Sequence, residues 1–448
     1  MISMNLHQAA AMTGGTLVGK PTQFRGVITD SRQDCTGKLF IGLKGDNFNG
    51  ENYCSQAIDN GAVAVLVSCA QDVTAPQLIC EHSLTALSVL AKNWAKQCQV
   101  KIIAITGSNG KTTVKNMLKS IFSLSGKCVA TQGNLNNEIG VPLTLCNIHV
   151  EDKYAVIEMG AAKLGDISWL VSLVNIHTAV LTNASPAHIG RFGSLENIVT
   201  EKGKIIANLT NTAFAVLPFD DDNFKKWSVN THGQVLSFGF KSGAKVQIEN
   251  KAGSDQGFNL IINDSTIADI NLPVAGVHNH LNAACAAAVA SSFGLFDEIK
   301  PGLESFAPAS GRLENLGKIA GHIVINDSYN ANPQSVKAAI DVLAQYSNPV
   351  TLVLGDMAEL GNDSQKLHIE IGKYAKSHNI THLLTVGTDS QYASQAFADT
   401  ALHFDNLDAL TSYLLKNWQD LGTTLVKGSR SMHLEDLINS IVAMEKVA

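Results

Sequence analysis

The sequence predicts an α/β protein of three domains: a small N-terminal α/β domain, a central parallel-sheet domain built around a phosphate-type loop, and a C-terminal Rossmann-like α/β domain. Three observations predict it. Strand-like apolar runs alternate with helical patterns in two long blocks, the signature of a parallel sheet with crossover helices. A glycine-rich turn joins one of those strands directly to its helix. The first block differs from both, with short β-like runs broken by Gly, Asp and Asn clusters. At 448 residues, about three typical domain lengths, the chain is long enough for more than one core.

The first block, residues 1–83, contains the runs GVITDS, KLFIGL and AVAVLV and one helical pattern from Tyr53 to Asn60. The second, residues 84–310, opens on helical periodicity in LTALSVLAKNWAKQC, continues through the strand VKIIAIT and the glycine turn, and enters the helix TTVKNMLKSIFSLSG. The strands YAVIEMG and HTAVLTN follow, each ending in polar residues. In such sheets ligands sit beyond the carboxyl ends of the strands. A β-rich stretch from about Val229 to Ile270 reads as a subsidiary sheet, and NAACAAAVAS reads as a close-packed core helix. The third block, residues 311–448, alternates the strands HIVINDS, VTLVLGDM, HLLTVG and TTLVKGS with the helices PQSVKAAIDVLAQY, LHIEIGKYAKSH and MHLEDLINSIVAME.

Composition narrows the partners. A formal net charge of −6 with no run of five like charges leaves no basic footprint for nucleic acid, so small molecules or protein are expected. The first residues carry no basic leader pattern, and the longest uncharged apolar stretches fall short of a membrane span. A soluble, cytoplasmic protein without membrane insertion is therefore expected. The eight cysteines include no C-x-x-C pair, which disfavours a zinc or redox motif and leaves buried free thiols.

The chemistry starts at IIAITGSNGKTT, Ile102 to Thr113. The usual phosphate loop reads G-x-x-x-x-G-K-[ST], whereas only Ser108 and Asn109 separate Gly107 from Gly110-Lys111-Thr112-Thr113. Two glycines would let backbone N–H groups approach a phosphate at a helix N-terminus, Lys111 would reach the terminal phosphates, and the Thr112 hydroxyl would bind Mg²⁺. A plain βα turn is the alternative. Glu158 closes the strand YAVIEMG at the same sheet edge, where its oxygens suit a hard cation or a structural salt bridge. His188, in NASPAHIGRFGS after HTAVLTN, reaches that edge too, as a site residue or a structural histidine. On spacing alone the reading stops at a magnesium nucleotide enzyme with a mobile second domain.

In order along the chain, TGSNGKTT, GNLNNEIGVP, IEMG, the Asn183/His188 segment, HNHLNAA, GRLE, INDSYNANPQSVKAAI, LGDMAELG and LVKGSRSMHLE resemble the Mur ligases of bacterial cell-wall synthesis. The resemblance covers essentially the whole chain, including ITDSRQDCTGKLFIGLKGDNFNGENY, and the shortened loop is the form that family uses. DSYNANP with LGDMAELG and KGSRSMHLE points to the member that joins D-alanyl-D-alanine to UDP-N-acetylmuramoyl-tripeptide, and the DNPR signature of the ligase adding the third peptide residue is absent.

The resemblance implies ATP and two Mg²⁺ ions, phosphorylation of the tripeptide carboxylate to an acyl phosphate, and attack by the dipeptide amine. It implies that Gly107, Ser108, Asn109, Gly110, Lys111, Thr112 and Thr113 hold the phosphates. Thr112 and Glu158 would share the first Mg²⁺, with His188 beside the second. It places Asn279 at the adenine and brings Arg312 and Asp327 to the phosphates and ribose. It assigns Ser31 and Arg32 to the uridine nucleotide, and Asn136, Asn137, Tyr329 and Asn330 to substrate. Lys202 would be carbamylated and bind Mg²⁺, and with Lys111 and His188 it would make the catalytic set. Departures from the family are Lys204 where Glu is usual, Ala162-Lys163 for Asn-His, and Glu51 for His. A folylpolyglutamate-synthase-like ligase shares the loop and chemistry but would lack the N-terminal nucleotide domain. A P-loop NTPase switching a protein partner would hydrolyse ATP without an amine acceptor. A monomer is expected, open when unliganded because only ligands would bridge the cleft. The sequence leaves lysine and meso-diaminopimelate both open at the third peptide position.

Overall fold

The computed structural model describes residues 1–45, 47–186, 189–251, 257–398 and 400–446. Three main sheets organise them. The N-terminal sheet has five strands in the order Thr16–Val18, Gln77–Ile79, Ala64–Val67, Leu39–Ile41, Val27–Ile28. All its pairings are parallel except the one at the Thr16–Val18 edge.

The central sheet has nine strands, ordered Cys128–Ala130, Tyr154–Glu158, Lys101–Thr106, Ile176–Leu181, Phe214–Pro218, Gln234–Gly239, Val246–Asn250, Gly257–Ile262, Ser265–Asn271. The first seven run parallel and the last two pair antiparallel. The β-rich stretch expected to form a subsidiary sheet thus extends the main one. Its first strand follows the crossover helix Phe224–Val229, and the next overlaps it by only two residue pairs, so a short connection suffices before the hairpins finish the edge.

Alternate residues of the central strands face opposite cores. Ile102, Ala104, Ala155 and Ile157 point one way; Ile103, Ile105, Val156 and Val180 point the other. Covering on both faces explains why these strands read as continuous apolar runs. Helices Lys111–Ser125 and Val277–Ser291 fill the second face, the latter packing Ala283–Ala290 fully buried. The first face continues into the N-terminal domain through helix Ser83–Cys98, whose Leu87, Leu90 and Trp94 share one core with Leu6, Phe24 and Leu66. Trp94 Nε1 donates to Ile148 O at 2.8 Å and Ile2 N to Cys146 O at 2.6 Å, so these two units are joined rigidly.

The C-terminal sheet has six strands, ordered Glu314–Ile319, His322–Asp327, Thr423–Lys427, Val350–Gly355, His382–Val386, Ala401–Phe404, parallel except for the first hairpin. The expected helices form as Pro333–Leu343, Ser364–Ser377 and Glu435–Ala443. Strand Ala401–Phe404 and helices Gln391–Phe397 and Leu407–Lys416 complete the domain without having been expected. The strand is a half-exposed edge with no apolar run to announce it. Among the described residues no helix is long and apolar enough to cross a membrane.

Candidate active site

The carboxyl ends of the central and C-terminal strands face each other across a cleft of about 1390 Å³. Strand Lys101–Thr106 lies between Tyr154–Glu158 and Ile176–Leu181, so Glu158 and Asn183 flank the loop that follows it. Gly107 and Gly110 are needed there. Gly110 has φ +83°, and a Cβ on it would collide with Asn282 Oδ1; one on Gly107 would collide with Thr182 Oγ1. The loop is cross-braced: Ser108 N donates to Asn183 O at 3.0 Å, Asn109 N to Asn183 Oδ1 at 3.0 Å, and Thr182 Oγ1 to Asn109 O at 2.6 Å. A left-handed backbone costs an ordinary residue roughly 1–2 kcal/mol, and the collision adds to it. Gly110→Ala is therefore expected to lose most ATP affinity, at least tenfold by calorimetry, and to melt several degrees lower.

Two lysines, Lys111 and Lys115, share the Glu158 carboxylate at this loop, and a third, Lys202, lies beside Lys111. Thr112 Oγ1 donates to Glu158 Oε2 at 3.0 Å, and Asn136 Nδ2 donates to Glu158 Oε1 at 2.8 Å. Lys115, 4 % exposed, lies 3.9 Å from Glu158 Oε2 and donates to Thr131 O at 2.8 Å. Lys111 Nζ curls back onto Gly107 O at 2.8 Å and Ser108 O at 3.3 Å. Burial holds the Lys111 and Lys115 ammoniums below the usual lysine range, with Glu158 pulling the other way. Lys202, 3 % exposed, is pushed down to about 7 by burial and then by Lys111, against Glu201. Its ammonium makes no hydrogen bond to a described residue. Glu201 is spent on the Gly165 and Ile167 N–H groups at 2.9 and 2.8 Å. Such a site is short of negative charge.

The donor set fits a phosphate-bound hard cation. Thr112 and Glu158 supply oxygens side by side, and the glycines leave room for phosphate that a Cβ would fill. No three His, Cys, Asp or Glu side chains gather among the described residues, so phosphates and water would complete the shell. His188 lies outside the described residues.

Across the cleft, Asp327 and Lys427 end neighbouring parallel strands in register. Lys427 Nζ donates to Asp327 Oδ2 at 2.6 Å and to Asn330 O at 3.0 Å, and Leu313 N donates to Asp327 Oδ1 at 3.1 Å. Burial nonetheless raises the Asp327 carboxyl above its usual range. Arg312 stacks on the Tyr329 ring at 4.2 Å. Asn279, 4 % exposed, donates to Ala275 O at 2.7 Å and accepts from Asn282 Nδ2 at 3.0 Å while lining the cleft. Asn137 caps Gly140 N at 2.9 Å on the cleft wall. Thr113 and Tyr329 line it as well.

His278, beside Lys427, is pushed down to about 4, mainly by burial and then by that cation. Its folded value lies below its unfolded one, so the stability this residue contributes is complete above pH 6.5 and is lost as pH falls toward 4. Between those values His278→Gln is expected to lose less stability than the parent, by about 1–2 kcal/mol once cleft solvent is allowed for. Denaturant titrations at pH 7 and pH 4.5 check it.

One expectation changes here. Protein groups bridge the domains directly: Asn332 Nδ2 donates to Asn109 Oδ1 at 2.7 Å, Asn109 Nδ2 to Gln334 Oε1 at 3.1 Å, Arg191 pairs with Glu359 at 2.6 Å, and Gly190 N donates to Glu359 O at 3.0 Å. Short polar side chains at facing strand and helix ends supply contacts assumed to need a nucleotide. Ser31 and Arg32 lie in the N-terminal domain, outside the lining of this cleft. Ser31 Oγ donates to Gln56 Oε1 at 2.7 Å, and the exposed Arg32 guanidinium holds Asp30 at 2.8 Å. Nearby Glu51 is buried on Lys44 at 3.0 Å and on Ser68 N. Sequence reasoning missed Lys115, Lys427, Asn332 and Gln334. A lysine inside an apolar strand end and another four residues after Lys111 were the available signals.

Comparison with known proteins bears on the whole chain. Residues 105–290 match the Mur ligase middle domain, residues 311–430 the Mur ligase glutamate ligase domain, and residues 23–106 the Mur ligase family catalytic domain. The chain is 37% identical over 447 residues to the UDP-N-acetylmuramoyl-tripeptide--D-alanyl-D-alanine ligase of Escherichia coli K12, covering 98% of this chain and 99% of that one. A crystal structure of MurF from Acinetobacter baumannii superposes with a TM-score of 0.92 at 32% identity, covering 99% of each chain. MurF ligase from Thermotoga maritima in complex with ADP superposes with a TM-score of 0.83 at 25% identity, covering 95% of this chain and 99% of that one.

Proposed function

Because the chain belongs to the Mur ligase family, we infer that it is the ATP-dependent ligase that adds D-alanyl-D-alanine to UDP-N-acetylmuramoyl-tripeptide, the last cytoplasmic step in assembling the peptidoglycan precursor peptide. The observation that carries this reading is the braced loop with Thr112 and Glu158 beside it, facing a second α/β domain across one cleft. Full-length relatedness, N-terminal domain included, disfavours a folylpolyglutamate-type ligase.

A carboxylate and an amine do not condense readily in water, so the chemistry needs an activated carboxyl. Lys111 would swing from its own loop carbonyls onto the β- and γ-phosphates, replacing two neutral contacts by charge-assisted ones. The loop N–H groups at the start of helix Lys111–Ser125 would hold the same phosphates. Thr112 and Glu158 would hold Mg²⁺, which when bound neutralises phosphate charge. The γ-phosphoryl group passes to the tripeptide carboxylate, the dipeptide amine attacks the acyl carbon, and phosphate leaves. Arg312 and Asp327 would meet the phosphates and ribose and Asn279 the adenine, with Asn136, Asn137, Tyr329 and Asn330 on the substrate. Catalysis is then chiefly positioning and charge stabilisation.

The division of labour would follow the chain: residues 1–83 for the uridine nucleotide through Ser31 and Arg32, 84–310 for ATP, 311–448 for the acceptor. His188 is assigned to a second Mg²⁺, and carbamylated Lys202 to the metal shell. A cytoplasmic monomer fits small-molecule substrates. An isotope experiment tests the reaction: with ¹⁸O in the donor's terminal carboxylate, one label should leave in inorganic phosphate. Unlabelled phosphate would mean that ATP is hydrolysed without activating that carboxylate.

A further inference from the structure

Asn109 sits at the tip of the phosphate loop, yet its side chain serves two domains. Its backbone N–H and carbonyl are fixed by Asn183 and Thr182 of the central sheet, and its Nδ2 donates to Ser185 Oγ at 3.1 Å. The same amide then crosses the cleft, accepting from Asn332 Nδ2 at 2.7 Å and donating to Gln334 Oε1 at 3.1 Å.

Asn332 is equally committed on its own side. It caps helix Pro333–Leu343, its Oδ1 accepting from Ser335 N at 2.9 Å while Ser335 Oγ accepts from Asn332 N at 3.0 Å. Each side-chain atom of this N-cap therefore has its own partner, one inside the helix and one on the loop. The helix it caps belongs to the same domain as Asp327, Tyr329 and Asn330, so moving Asn332 moves that wall of the cleft.

A second clasp stands on helix Ile189–Phe192. Gly190 N donates to Glu359 O at 3.0 Å and Arg191 pairs with Glu359 at 2.6 Å. Glu359 has φ +62°, a left-handed backbone that L residues avoid, and a Cβ at Gly190 would press on Glu359 O and Gly361 N at 3.1 Å. The strand-end loop of the C-terminal domain is thereby set backbone to backbone against the central domain.

We propose that Asn332, with Gln334, is a positioning residue for the ligase reaction: its bond to Asn109 holds the C-terminal domain on the phosphate loop, so that each ATP consumed yields an amide bond. The proposal rests on the ligase reading above. When the clasp is lost, the domain opens while the acyl phosphate is still present. Water rather than the amine then attacks the acyl carbon, the bond from that carbon to the phosphate oxygen breaks, and the tripeptide carboxylate and inorganic phosphate are regenerated beside ADP. The signature is ADP made in excess of amide.

Asn332→Asp separates this role from helix capping, because aspartate caps as well as asparagine but presents a carboxylate instead of a donor to Asn109 Oδ1. Gln334→Ala removes the second contact without touching the cap. With full-length protein, ATP, Mg²⁺, UDP-N-acetylmuramoyl-tripeptide and D-alanyl-D-alanine, ADP and amide product are counted in the same samples. The parent should give a ratio near one. Asn332→Asp should raise it at least twofold and lower the amide kcat about tenfold, with an unchanged melting temperature, and Gln334→Ala should move both in the same direction by less. A ratio near one in both variants overturns the proposal, as does a fall in amide kcat that only tracks a lowered melting temperature. Should the parent itself make no amide, the ligase reading fails instead, and the two failures are distinct.

Discussion

Lys111→Ala is expected to lower kcat/KM for ligation by about a thousandfold, the scale of losing a preorganised cation at a transferring phosphoryl group. Its ammonium rests on the carbonyls of Gly107 and Ser108, with burial holding it below the usual lysine range. Two neutral oxygens compensate a half-buried cation poorly, and incoming phosphate compensates it well. The fold should not suffer: removing an under-compensated charge leaves melting temperature equal or slightly higher. ATP should lose its ability to raise that temperature, since stabilisation by a ligand follows its affinity for the folded state. Initial rates and melting curves with and without ATP and Mg²⁺ check both halves. A variant that keeps ATP stabilisation and most activity would remove this loop from the phosphoryl-transfer site.

The second large effect is expected at Lys202. The side chain is buried beside Lys111 with no hydrogen bond to a described residue, and its amine is pushed down to about 7, so near neutral pH much of it is an uncharged nucleophile. Such an amine can take up CO₂, becoming an anion where the site lacks one. Lys202→Ala should cost at least a hundredfold in kcat. Stripping CO₂ and bicarbonate from the buffer should slow the parent severalfold and leave the variant unaffected. The parent's activity should rise with pH through about 7 as the amine loses its proton. For stability the sign is the same: the folded value lies below the unfolded one, so the unfolded chain binds more protons between them. Stability should then climb from about pH 7 upward, and the climb should shrink in Lys202→Met. A parent indifferent to bicarbonate would leave Lys202 as a buried amine and no more.

How much of this was legible depended on where the physics is local. Strands buried on both faces announce themselves as VKIIAIT or TTLVKGS, and a loop that must hold phosphate announces itself by glycines whose Cβ atoms would collide with Thr182 and Asn282. Strand Ala401–Phe404 is half-exposed with no apolar run, and periodicity marks the stretch beyond Gly239 as β-rich without saying that it joins the edge of the central sheet. The clasp from Asn109 to Asn332 joins residues 223 positions apart through ordinary amides, which read as turn and capping residues until the domains are seen together. Asp327 entered only through the family resemblance, and its partner Lys427, in register on the next strand, was not found at all.

The central claim is a ligase that spends ATP only when both halves of its product are present. The most direct measurement is ADP release by the purified protein with Mg²⁺ and UDP-N-acetylmuramoyl-tripeptide, with and without D-alanyl-D-alanine, beside a folate-plus-glutamate control. Sustained release that requires both cell-wall substrates, with none in the control, is the predicted result. Release indifferent to the dipeptide, or seen only with folate and glutamate, would contradict it.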